Sequence, residues 1–259
     1  MKGPDSTKGA VAHGPRPNGS HTEDGAIPTE EIRLYVIGDI HGRLDLLERA
    51  ITAIGRDLER YGGEALTVTL GDYLDRGPAS RGVIERLAQN PFPTPYVALK
   101  GNHEGMLLDF LEDPSLGMHW RTQGGEQTLQ SYGVAVRSLM VGKANVDAAK
   151  RLRGALPASH VAFLGSLQPF LKHGRFFLCH AGVRPGVPLE TQSEHDLLWI
   201  REEFLASEAD FGSIVVHGHT PVAEPEILPN RINIDTGAFA TGRLTCIVLE
   251  HQGYRFLDL

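Results

Sequence analysis

Val36-Ile37-Gly38-Asp39-Ile40-His41-Gly42 is the stretch from which the fold can be read. The apolar run from Leu34 to Ile37 stops at a glycine, and an aspartate and a histidine follow with one residue between them. On an extended segment, residues two apart face the same way, so the Asp39 carboxylate and the His41 imidazole can close on one metal ion. Gly38 and Gly42 allow the tight bend that such closure needs.

Working outward, a strand at Arg33–Ile37 is followed, past the Asp39/His41 turn, by apolar residues at Leu46, Leu47, Ala50, Ile51, Ile54 and Leu58. That spacing predicts a helix with one buried face, ended by Gly62-Gly63. A second strand, 65–70, runs into Gly71-Asp72-Tyr73-Leu74-Asp75-Arg76-Gly77, with a helix over about 79–89. A third, 96–99, runs into Lys100-Gly101-Asn102-His103-Glu104, with a helix to Leu111. Three times a strand ends in a polar, glycine-bearing turn and a helix departs. This is the grammar of an α/β fold, in which ligand groups gather at the carboxyl ends of the strands.

Residues 113–170 read as a mostly helical insert beside the site, carrying the polar stretch Gln123-Gly124-Gly125-Glu126 and suited to a substrate-facing cap. Strands then return at 176–179, ending at His180, and at 214–216, ending at His217-Gly218-His219-Thr220. The last stretches, 231–235, 244–249 and 254–257, alternate around glycine-containing turns and predict antiparallel hairpins, so the sheets should be mixed.

The chain has 259 residues, 41% hydrophobic and 22% charged, enough for one large domain over residues 31–259. Residues 1–30 are rich in Gly, Pro, Ser, Thr and His with few bulky apolar side chains, which predicts a disordered N-terminal tail. A net charge of −7 argues against a general nucleic-acid binder. Cys179 and Cys246 sit in separate apolar runs without a C-x-x-C spacing, the pattern of reduced thiols in a cytoplasmic protein. No apolar run reaches about 18 residues, and no signal-peptide core is present, so no membrane association is expected. No surface patch in the sequence argues for an oligomeric state.

The strand ends supply Asp39, His41, Asp72, Asn102, His180 and His219. These are hard oxygens and imidazole nitrogens with no thiolate, a set suited to manganese, iron or zinc. Six ligands are too many for one catalytic ion that keeps an open position. They suit two ions sharing one carboxylate, about 3.5–4 Å apart, which can hold a bridging water and clamp a phosphoryl displacement.

In this order, Gly38-Asp39-Ile40-His41-Gly42, Gly71-Asp72-Tyr73-Leu74-Asp75-Arg76-Gly77, Gly101-Asn102-His103-Glu104, His180-Ala181-Gly182 and His217-Gly218-His219-Thr220 resemble the motifs of the phosphoprotein phosphatase branch of the calcineurin-like metallophosphoesterases. The resemblance spans about residues 33–259 and implies a four-layer sandwich, two mixed β-sheets flanked by helices. It implies that Asp39 and His41 hold the first metal, Asp72 bridges, and Asn102, His180 and His219 hold the second. Arg76 would bind phosphoryl oxygens, with Asn102 beside it. Trp199-Ile200-Arg201 matches the W-x-R of bacterial and bacteriophage members, which makes Arg201 a second phosphate ligand. His103 would protonate the leaving alkoxide, oriented by Asp75, whose carboxylate would raise the imidazole pKa.

The function so implied is dephosphorylation of phosphoserine and phosphothreonine proteins, with phosphotyrosine as a further substrate, by in-line attack of a metal-bridging hydroxide without a phosphoenzyme. Mn²⁺ is the favoured ion, with Fe or Zn²⁺ as alternatives. Where eukaryotic members carry S-A-P-N-Y, this chain has Ile234-Asp235-Thr236-Gly237-Ala238-Phe239, which favours a bacterial-type enzyme. Two rivals stand beside this reading. A diadenosine tetraphosphate hydrolase shares the fold, although Asp75-Arg76 leans towards phosphoester cleavage. A non-catalytic phosphate-binding scaffold would be expected to have lost a ligand or the acid pair, yet Asp72, Asp75 and His103 all stand.

Overall fold

The computed structural model describes residues 32–135, 142–251 and 253–259. The tail expected over residues 1–30 lies outside them. In chain order, β1 (Arg33–Ile37), α1 (Leu44–Tyr61), β2 (Ala65–Thr69), α2 (Ser80–Leu87), β3 (Tyr96–Ala98) and α3 (Asn102–Glu112) come first. They are followed by the helices α4 (Gly117–Trp120), α5 (Glu126–Ser131), α6 (Lys143–Ala155) and α7 (Ala158–Ser166). The second half contains β4 (Phe170–His173), β5 (Phe176–Cys179), α8 (Glu194–Trp199), α9 (Glu202–Leu205), β6 (Ile214–His217), β7 (Glu226–Ile227), β8 (Arg231–Asn233), α10 (Ala238–Thr241), β9 (Cys246–Glu250) and β10 (Gly253–Phe256).

The strands form two five-stranded sheets, ordered β10-β9-β1-β2-β3 and β4-β5-β6-β8-β7. In the first, β1, β2 and β3 run parallel, with Val36 opposite Val68 and Thr69 opposite Ala98, while β9 and β10 add antiparallel strands beyond β1. In the second, β5, β6 and β8 are parallel, with antiparallel edges at β4 and β7. Both sheets are mixed.

Alternation along each strand creates the layers. Leu34, Val36, Leu66 and Val68 meet Phe176, Leu178, Val216 and Ile232 between the sheets. Tyr35 and Ile37 point the other way, into a core completed by Leu47 and Ile54 of α1, Val83 of α2 and Phe110 of α3. Phe177, Cys179 and Val215 likewise turn outward onto Leu197 and Phe204. The result is a helix, sheet, sheet, helix sandwich, each fully buried Leu, Val or Phe contributing about 1.5–3 kcal/mol.

Two details differ from the sequence reading. The stretch expected to hairpin with the C-terminal strands is β8, which instead joins the other sheet parallel to β6, Val216 opposite Ile232. Parallel neighbours need a crossover, and residues 218–230 supply it, with β7 on the way. The short edge strands β4 and β7 escaped notice because edge positions lack a continuous apolar signature.

Asp57 of α1 ties this frame to the C-terminal hairpin. Its carboxylate accepts two 2.7 Å hydrogen bonds from Arg255 and one of 2.8 Å from the Tyr35 hydroxyl. Burial acts to raise its pKa, but the bonds from Arg255 and Tyr35 and the nearby positive charges hold it below the usual carboxylate value. A depressed pKa contributes stability that is full above the unfolded value, about 3.9, and is lost as pH falls through the folded one. Asp57→Asn should therefore lower the unfolding free energy in urea by about 1–3 kcal/mol at pH 7, with the deficit shrinking as pH falls below about 3.9. A deficit that did not change with pH would contradict this ion pair's role.

Candidate metal centre

The parallel strands of both sheets deliver their carboxyl ends to one place. Asp39 follows β1, Asp72 follows β2, Asn102 and His103 open α3 after β3, His180 follows β5, and His219 follows β6. The turns that carry them are held in unusual backbone conformations. Six non-glycine residues among those described have positive φ: His41 (44°), Asp72 (53°), Asp75 (70°), Arg76 (64°), His219 (66°) and Asn90 (42°). Five of the six are candidate site residues. Each left-handed position costs about 1–2 kcal/mol, and such strain persists where surrounding bonds over-determine it. Here the turn after β1 is fastened to the turn after β2, since the Ile40 and His41 N–H groups both donate to the Asp72 carbonyl, at 3.1 and 2.8 Å, and Gly42 donates to Tyr73. Gly42 itself has φ +63°, as expected for a bend; Gly38 serves for room, because a Cβ there would lie 2.6 Å from the Ile234 carbonyl oxygen.

Asp72 is the hub of the cluster. Its Oδ2 lies 3.3 Å from His41 Nε2 and 3.8 Å from His103 Nε2, and its Oδ1 lies 3.4 Å from His180 Nε2. Two trios of potential ligand atoms share it, His41–Asp72–His103 and Asp72–His180–His219. Asn102 Oδ1 sits between His180 Nε2 at 2.8 Å and His219 Nδ1 at 3.0 Å. Asp39 falls outside both trios. Its carboxylate accepts the His219 N–H at 3.1 Å, and burial with the nearby charges of Asp235 and Asp72 pushes its pKa up.

The fit to divalent cations can be judged from the donor set. His41 and His180 place Nδ1 against backbone carbonyls, Leu74 at 2.9 Å and Leu70 at 3.0 Å, so Nδ1–H donates and each Nε2 lone pair faces Asp72. Lone pairs thus confront carboxylate oxygens, an arrangement that a cation between them resolves. Burial favours the neutral imidazoles, lowering His41, His219 and His180, the last to about 3, and pushes Asp39 and Asp72 upward. Neutral imidazoles are ready ligands, and buried carboxylates need a compensating positive charge. His219 Nε2 is buried with no partner among the described residues. The O/N donors fit Mn²⁺, Fe or Zn²⁺. Backbone crowds the same volume, since a Cβ on Gly101 would collide with the Asp72 carboxylate and one on Gly218 with that of Asp39.

Beside the cluster, His103 Nδ1 meets Asp75 Oδ2 at 2.7 Å, and an Arg76 guanidinium N–H donates to His103 Nε2 at 3.1 Å. The expectation that a carboxylate partner raises the His103 pKa is corrected: burial dominates and lowers it, the charge of Asp72 opposes, and Arg76 lowers it further. Arg76 also lies over the exposed ring of Phe239, 4.8 Å from its centroid. Arg201 is exposed and donates to the Thr220 hydroxyl, next to His219, at 2.9 Å.

Several neighbours were not singled out from sequence. Glu104, wholly buried, accepts the backbone N–H groups of Asp72, Tyr73 and Gly101 at 2.8–2.9 Å and so locks the second and third turns together. Asp235, two residues past β8, crowds Asp39 and Asp72, and burial lifts it to about 6; its strand-end position was the available signal. Trp120 and Thr128 bond to Asp75 from the helical insert. Tyr73 proves to be core, its hydroxyl donating to the Leu99 carbonyl. His217 packs on Phe204, outside both trios.

The calcineurin-like phosphoesterase family matches residues 32–244. Serine/threonine-protein phosphatase 1 of Salmonella typhimurium is 28% identical over 217 residues, covering 82% of this chain and 89% of its own. The asymmetrical bis(5'-nucleosyl)-tetraphosphatase PrpE of Oceanobacillus iheyensis is 26% identical over 233 residues, covering 83% and 87%. Among solved structures, a provisionally assigned diadenosine tetraphosphatase superposes with a TM-score of 0.62 at 21% identity, covering 89% of this chain and 95% of its own. The cold-active protein-tyrosine phosphatase of a psychrophilic Shewanella gives 0.53 at 15%, covering 90% and 83%. These structures share the fold. With a family match over most of its length and a buried cluster of oxygen and imidazole donors at the ends of its strands, the chain belongs to the calcineurin-like metallophosphoesterases.

Proposed function

We propose that this protein is a two-metal phosphomonoesterase acting on phosphoserine and phosphothreonine, and on phosphotyrosine, in proteins or peptides. The observation that carries this reading is the buried His103–Asp75 pair, 2.7 Å from Nδ1 to Oδ2, with Nε2 turned towards Asp72 and Arg76. A serine or threonine alkoxide is a poor leaving group and needs a proton, which a positioned acid supplies with a gain of typically 10²–10⁴-fold. A nucleoside polyphosphate leaves as a stabilised phosphate and needs that help far less.

In this reading Asp39 and His41 hold the first ion, Asp72 is shared, and Asn102, His180 and His219 hold the second. Two such ions, Mn²⁺ for preference, would activate water and neutralise phosphoryl charge. Arg76, beside His103, and Arg201, beside Thr220, would grip phosphoryl oxygens through their planar forks, with the Asn102 amide N–H groups as further donors. When Arg76 turns to the phosphoryl group it gives up its bond to His103 Nε2. That nitrogen, which holds a lone pair while it accepts from Arg76, would then take up a proton from water and pass it to the departing oxygen. Both cysteines are free and buried, which fits a reducing, cytoplasmic setting, and no helix among the described residues is long and apolar enough to cross a membrane.

A second reading, dinucleoside tetraphosphate hydrolysis, draws on two aromatic rings at the rim. Phe239 and Trp199 are about one-third exposed and lie edge-on to His41 and His219 respectively, and exposed rings can stack a purine.

Two measurements test these readings. His103→Asn should cut turnover of a phosphoserine peptide by about 10²-fold or more, and turnover of p-nitrophenyl phosphate, whose leaving group hardly needs a proton, much less. Equal losses would remove the general acid. With Mn²⁺ restored to stripped protein, the phosphoserine peptide should turn over faster than diadenosine tetraphosphate; the reverse order would transfer the function to the dinucleotide.

A further inference from the structure

The helical insert approaches the Asp75-Arg76 turn. Trp120, at the end of α4, is buried and donates its indole N–H to Asp75 Oδ2 at 2.8 Å. Thr128 of α5 donates its hydroxyl to Asp75 Oδ1 at 2.6 Å, and the Thr128 hydroxyl oxygen accepts the Asp75 N–H at 2.9 Å. His103 Nδ1 shares Oδ2 with Trp120. Three donors thus converge on the two oxygens, which is the surrounding of an ionised carboxylate, although burial pushes Asp75 upward. The kinked segment between the helices holds the next residue: the Arg76 N–H donates to the Gly124 carbonyl at 3.1 Å, and a Cβ on Gly124, whose φ is +108°, would sit 2.6 Å from Arg76 N.

The support closes on itself. Trp120 stacks on Phe110, with ring centroids 4.8 Å apart, and Phe110 belongs to α3, the helix that begins with Asn102 and His103. The χ2 torsion of an aspartate is broad and has no strong preference of its own. Asp75 therefore keeps its plane because the insert fixes both oxygens, and the His103 ring takes its orientation from that plane.

We infer that Trp120 and Thr128 are positioning residues of the leaving-group acid, holding the Asp75 carboxylate so that His103 presents Nε2 to the ester oxygen. This rests on the general-acid reading above and assigns a role to the insert that neither metal binding nor phosphate binding requires.

The consequence is a selective defect. Trp120→Phe keeps a stackable ring and removes the N–H; Thr128→Val keeps the shape and removes the hydroxyl; Thr128→Ser keeps the hydroxyl. For Trp120→Phe and Thr128→Val, kcat on a phosphoserine peptide should fall roughly tenfold, the worth of one hydrogen bond to a charged group, while kcat on p-nitrophenyl phosphate stays within about twofold. Thr128→Ser should behave as the wild type. Equal losses on both substrates, or none on either, would overturn the inference. If Trp120→Phe fails to fold, the Thr128 pair decides. The parallel His103→Asn measurement separates the two ideas. Should it leave the substrate ratio unchanged, the general acid itself is wrong; should it lower the ratio while the Thr128→Val and folded Trp120→Phe variants do not, only the positioning role is wrong.

Discussion

A carboxylate that is only 2% exposed, Asp72, lies within 4 Å of three imidazoles. Taking such a charge out of water costs several kcal/mol even after relaxation, and Asp39, Glu104 and Asp235 add like charge nearby, so positive groups must compensate. The His103 N–H at the start of α3 donates to Asp72 Oδ1 at 3.1 Å, adding the positive end of a helix dipole to the site. Arg76 and Arg201 contribute positive potential from the rim. The inward-facing lone pairs of His41 and His180 add no charge, which leaves a place that divalent cations complete. The same focus of positive groups would receive a phosphate ester.

Meeting this demand shapes the fold around the site. Two sheets packed face to face bring six strand ends, three from each sheet, to one edge, and the turns that leave them accept left-handed residues at His41, Asp72, Asp75, Arg76 and His219. Glu104 and the insert helices hold those turns, so local strain is offset by bonds contributed from distant parts of the sequence. The helical region whose texture suggests a cap over the substrate also bonds to the proposed acid pair through Trp120 and Thr128.

Much of this was legible in the sequence, for identifiable reasons. Strands buried on both faces leave continuous apolar runs such as Leu34 to Ile37, and polar, glycine-rich strand ends mark where ligands gather, so Asp39, His41, Asp72, Asn102, His180 and His219 could be collected before any coordinates. What stayed hidden depends on partners far apart in the chain. Nothing near Trp120 or Thr128 announces a bond to Asp75, 45 and 53 residues away. The partner sheet of β8 is a tertiary choice that local alternation does not encode. Asp235 is readable as a strand-end acid, but its place beside Asp39 and Asp72 depends on the pairing of β8 with β6. The direction of the His103 pKa also escaped, because a carboxylate partner is visible in a motif and burial is not.

The central claim, one carboxylate shared by two ions, is most directly tested by counting metals. Protein reconstituted with Mn²⁺ and freed of excess should carry two equivalents by mass spectrometry of the bound metal. In Asp72→Asn both should fall well below one, since the substitution weakens both positions at once. A variant that keeps one ion at full occupancy, or a wild type that binds only one, would contradict the account.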